Sequence, residues 1–149
     1  MVSVNEVAKY FIENGEDITP KKLQKLSYYA EAWCNALLNK RLINDTHFEA
    51  WVHGPVSPEL YQEYKNYGWN VIEEPAVNIE YNFSDKEKEI LDSVLETYGH
   101  LSGNELEAIT HEETPWLNQR KDLEETEASN NIIKFEDMQN YYSSIYIGD

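Results

Sequence analysis

The residues with the most chemical potential are His111-Glu112-Glu113, the isolated His53 and the single Cys34. A histidine followed by two carboxylates is a start on a divalent-metal site. The helical zinc arrangement needs a second histidine four positions after the first, so that both imidazoles share one helix face. Pro115 stands at that position, and His47, His53 and His100 are far apart in the chain. No metal is expected, and His111 reads instead as a cation at a helix end, facing the negative pole of the backbone dipole. Cys34 paired with His53 or His111 would make a thiol nucleophile. It lies beside Trp33 in an amphipathic stretch, where a thiol usually behaves as a small buried hydrophobe. The six glycines are scattered, so no phosphate-cradling loop exists and no cofactor is expected. Carboxylate pairs such as Glu73-Glu74 carry no specificity among 28 acidic residues. Residue chemistry therefore points away from an enzyme.

What remains is recognition chemistry. Tyr28, Tyr29, Trp33, Trp51, His53, Tyr61 and Trp116 form a set of aromatic and histidine side chains suited to a binding surface, although Trp33 also falls on an apolar stripe. Tyrosine and tryptophan are favoured in protein interfaces, and eleven tyrosines are more than a core readily absorbs, because each buried hydroxyl needs a partner. The net charge of −16 repels phosphate backbones and draws in basic partners. A protein partner with a basic surface is expected, and nucleic acid is not. Lys21, Lys22 and Lys25 could be the basic edge of a helix-turn-helix, but in so acidic a chain they read as a solvated face.

These side chains are placed by elements with clear local signals. Ser3/Glu6, Ser84/Glu87 and Ser102/Glu105 have capping-box spacing and predict three helix starts. Thr19-Pro20, Ser57-Pro58 and Thr114-Pro115 predict three more, with a cap followed by proline in the first turn. Leu23, Leu26, Ala30, Trp33 and Leu37 form one stripe, the inner face of a central helix over about residues 20–38. Leu42-Ile43 reads as an apolar anchor. Phe48, Ala50 and Val52 alternate with Glu49, Trp51 and His53, which predicts a strand ended by Gly54-Pro55. Residues 69–83 read as extended, with a short β element pairing with that strand. Ile132-Ile133 reads as a short strand, and Phe135, Met138, Tyr141, Tyr142 and Ile145 as a last helix. The fold class is mainly α, a helical domain with a small antiparallel β element.

A chain of 149 residues, 41% of them hydrophobic, is one ordinary domain. No apolar run is long enough to span a membrane, and the N-terminus lacks signal-peptide character. A cytoplasmic protein is expected, with self-association left open.

Three blocks, ITPKKLQKLSYYAEAW, FEAWVHGPVSPELYQEY and LSGNELEAITHEETPW, resemble the Panacea domain, also called the SocA-like antitoxin domain. The resemblance covers about residues 1–120. It implies a helical domain over 1–123, with a variable segment over 124–149 packing on it. Ser27 departs from the family pattern, in which a large apolar residue is usual. The resemblance also implies a small cytoplasmic protein of a bacterium, phage or mobile element that neutralises a toxin by direct binding. A protease adaptor, a helix-turn-helix regulator and a phage counter-defence protein are the alternatives. No catalytic residues carry over. The partner-binding residues expected from the blocks are Tyr28, Tyr29, Trp51, His53, Tyr61 and Trp116.

Overall fold

A computed structural model describes residues 1–147. The elements run α1 (Val4–Asn14), α2 (Pro20–Leu38), β1 (Glu49–Trp51), β2 (Gly54–Val56), α3 (Pro58–Tyr64), a 3-10 turn (Lys65–Tyr67), α4 (Asp85–Tyr98), α5 (Gly103–Thr110), α6 (Thr114–Asn118) and α7 (Phe135–Ile145). The architecture is mainly α with one two-stranded antiparallel sheet. All three predicted capping boxes form. At the first, Glu6 N–H donates to Ser3 Oγ at 3.2 Å and Ser3 N–H donates to Glu6 Oε2 at 2.7 Å. Helix α6 starts one residue earlier than Thr114-Pro115 suggests, because Glu113 takes the cap position without a side-chain cap.

Helix α2 is the axis of the molecule, packed by α1, α3, α4, α5, α7 and β2. Every residue from Lys22 to Ala32 is buried. A one-sided stripe therefore underdescribes it: neighbours surround the helix, and its polar residues find partners inside. The expectation that Lys22 and Lys25 form a solvated face is corrected for the same reason. Lys22 Nζ donates to the carbonyls of Glu16 (2.8 Å) and Gly99 (2.7 Å), and Lys25 Nζ to that of Pro55 (3.1 Å).

Strand β1 does not pair with residues 69–83, which contain no strand. Its partner is β2, the Gly-Pro segment expected to end it, in the register Glu49↔Val56 and Trp51↔Gly54. Gly54 makes this possible with φ at +106°, a conformation that side chains disfavour. Its packing also needs glycine, since a Cβ there would lie 2.8 Å from Lys25 Cε and 3.0 Å from Thr110 Oγ1. On its other edge β1 meets residues 131–133. Ala50 N–H donates to Asn131 O and Ile133 N–H to Phe48 O, both at 2.8 Å, and the predicted Ile132-Ile133 strand reduces to one bridge with Glu49. Residues 69–83 instead run past α3, where Ala76 N–H donates to the Tyr64 hydroxyl at 2.9 Å, to α1, where Tyr81 and Phe83 lie edge-on to Tyr10 at 5.3 and 5.5 Å.

Candidate partner-binding surface

The hairpin is held by side chains that reach its backbone from both sides. From α2, Gln24 Nε2 donates to Ser57 O at 3.0 Å and Gln24 Oε1 accepts from Ser57 N–H at 2.8 Å, a closed pair that fixes the start of α3. From the far side, Trp116 Nε1 donates to Trp51 O at 2.9 Å and Arg120 Nη1 to Ala50 O at 2.8 Å. Buried carbonyls left unpaired are costly, so these contacts determine where the hairpin side chains point.

Three of the six expected residues meet at the surface. Trp51 and Tyr61 pack edge to face with ring centroids 5.2 Å apart, and Tyr61 is 41% exposed. Trp51 Nε1 donates to Glu49 Oε1 at 2.9 Å, which fixes the indole on the outer face. The exposed His53 sits at the hairpin tip with Nδ1 3.2 Å from Glu107 Oε2. Sequence reasoning missed a fourth member, Trp69, which is 92% exposed and shares a groove of about 340 Å³ with Trp51, His53 and Tyr61. A tryptophan directly after Gly68, outside any apolar period, was the available signal.

The other three expected residues are elsewhere. Trp116 is only 7% exposed; it stacks on His111 at 4.1 Å and lies under the Arg120 guanidinium. It supports the surface through the Trp51 carbonyl rather than forming part of it. Tyr28 and Tyr29 are core residues, 1% and 0% exposed, which corrects their expected place beside the surface aromatics. Tyr29 and Tyr142 both donate to Glu113 Oε1, at 2.9 and 2.7 Å, and the Tyr28 and Tyr142 hydroxyls bond at 3.0 Å. Burial raises the Glu113 pKa, while the two tyrosine hydroxyls support its charged form.

Burial pushes the Cys34 thiol up to about 12, far from a thiolate nucleophile. Burial lowers the His111 pKa, which favours a neutral imidazole and corrects its reading as a helix-end cation. Among the described residues, no group of three or more His, Cys, Asp or Glu side chains is placed to hold a metal ion.

Residues 23–117 match the family model described as antitoxin SocA-like, Panacea domain. The chain belongs to this family. No curated protein and no solved structure matches it. In this Panacea domain the three sequence blocks form a single joint. Gln24 and Lys25 of the first hold the Gly54–Ser57 backbone of the second, and Glu113 and Trp116 of the third hold Tyr29 and Trp51. Ser27, the departure noted in the sequence, is fully buried, and its hydroxyl has no hydrogen-bond partner among the described residues. Helices α1 and α7 lie outside the matched span. Among the described residues no helix is long and apolar enough to cross a membrane.

Proposed function

We propose that this Panacea domain acts in the cytoplasm as an antitoxin-like module that neutralises a cognate protein toxin by direct contact. The contact surface is centred on Trp51 and Tyr61, with His53 and Trp69 at its rim. The observation that carries this reading is the Trp51–Tyr61 pair, half-buried on β1 and exposed on α3, beside a hairpin whose backbone is held by Lys25 from α2 and by Trp116 from α6. Rings fixed in advance lose little freedom on binding, which is what an interface hot spot requires. The acidic body speeds encounter with a basic toxin, and the effect on the toxin is steric.

The test is co-expression with the toxic product of an adjacent reading frame. Tyr61→Ala and Trp51→Ala are each expected to weaken toxin binding at least tenfold and abolish growth rescue, while thermal unfolding of the Tyr61 variant is unchanged. Full rescue by both variants would remove this surface from the mechanism.

A further inference from the structure

On a chain with 28 acids and 12 bases, the groove beside Trp51 has an unusual lining. Lys21, Lys25, Lys65 and His53 contribute to its walls, and no carboxylate does. Other recesses differ: the one at Arg41 includes Glu31 and Glu136, the one at Trp51 and Asn130 includes Glu49, and the one at Trp33 and Tyr146 has neither acids nor bases. Glu107 is not part of the lining, but it bonds Lys21 at 2.7 Å and His53 at 3.2 Å and so orients both groups. Lys65 is exposed and has no ion pair among the described residues. Lys25 is buried and donates to Pro55 O, so Lys65, Lys21 and His53 are the basic side chains that reach the groove surface, which the rings of Trp51, Tyr61 and Trp69 also line.

We propose that this groove receives an acidic segment of the protein partner, in which an aromatic or aliphatic side chain is flanked by carboxylates. The proposal rests on the reading of Trp51 and Tyr61 as a protein-contact surface and adds the chemistry of what they contact. A volume of about 340 Å³ suits a side chain or two and is small for a folded surface. The exposed Lys65, with the half-exposed Lys21 beside it, would pair with the flanking carboxylates at the rim, where salt bridges contribute direction and register more than affinity. The whole-molecule charge and the groove then act on different parts of the partner. The acidic body meets its basic surface, and the groove selects one acidic stretch of it. Nucleic acid also offers anions and rings, but its continuous phosphate charge would have to approach the rest of a −16 surface.

The test uses the full chain and two synthetic decapeptides, one with a Trp-Leu pair between glutamates and one with lysines replacing the glutamates. Binding is followed by fluorescence anisotropy and by the tryptophan indole NMR signals. The acidic peptide is expected to bind saturably, to shift the Trp51 and Trp69 indoles and to weaken with salt. Trp69→Ala should weaken it at least tenfold and Lys65→Glu about fivefold. Tighter binding of the lysine peptide in the groove, no binding of the acidic peptide, or indifference to both substitutions overturns the proposal. The same indole shifts with a single-stranded oligonucleotide, or self-association abolished by Lys65→Glu, would overturn it in favour of another occupant. Toxin neutralisation separates the two readings. Rescue lost in Tyr61→Ala but kept in Lys65→Glu leaves the contact surface standing and removes the acidic segment. Rescue kept in both removes both.

Discussion

The hydroxyl of Tyr142 donates to Glu113 Oε1 at 2.7 Å, and through that bond the last helix is tied to the turn that opens α6. Tyr29 of α2 donates to the same oxygen. Glu113→Gln keeps an acceptor at that point and is expected to change stability by less than about 1 kcal/mol. Glu113→Ala leaves two buried hydroxyls without their acceptor and should cost about 2–4 kcal/mol. Urea unfolding of both variants checks this, and equal losses would refute the shared-acceptor role. Because the native pKa of Glu113 is raised, the native state holds its proton to higher pH than the unfolded chain. Stability from this group falls as pH rises from the unfolded value toward the native one, so the Gln variant gains on the parent over that window.

Lys25 gives the opposite slope. The residue is 1% exposed, and desolvation lowers its pKa to about 7, with Glu107 acting to raise it and Lys21 to lower it. Above that value the unfolded chain binds a proton that the native state has lost, so stability rises with pH from about 7 toward the ordinary lysine value of 10.5. Lys22, lowered by burial as well, adds to the same trend. In Lys25→Met the slope of melting temperature against pH over this window should flatten. An unaltered slope would mean that Lys25 stays charged in its buried site.

Gly54→Ala meets two obstacles, the positive φ and a Cβ 2.8 Å from Lys25 Cε. A loss of about 2 kcal/mol or more is expected, about 5 °C in melting temperature for a chain of this size. Gly68 also has positive φ, at +61°, but a Cβ added there would meet nothing within 4 Å. Gly68→Ala should therefore cost less, and a reversed order would show that space around the hairpin is not limiting.

Ser27→Ala removes a buried hydroxyl that has no partner among the described residues. The expected gain is about 0.5–1 kcal/mol, read as a higher denaturant midpoint at unchanged slope. A loss would reveal a hydrogen bond made by that hydroxyl in solution.

Local chemistry made most of the helices legible. A capping box is closed between residues three apart, so Ser3/Glu6, Ser84/Glu87 and Ser102/Glu105 announced their helices without reference to the rest of the chain. Proline at the first turn placed α2 and α3 in the same way. Trp51, His53 and Tyr61 could be singled out because they lie within eleven residues of sequence, so a strand, a turn and one helical turn suffice to bring them together. The environment of the remaining residues depended on contacts between distant parts of the chain. Whether Tyr29 faces solvent or core depends on Glu113, 84 positions away, and whether Lys25 is solvated depends on Pro55, 30 positions away. The partner of β1 was also hidden, because Gly54-Pro55 reads locally as a stop, yet it pairs with β1 while Lys25 holds the Pro55 carbonyl from α2. Where helices begin and which rings sit near the hairpin could be read from the residues alone, because those features follow from short-range backbone hydrogen bonding. Which of those rings stay wet was left to the assembled fold, because burial depends on what packs against each side chain from elsewhere in the chain.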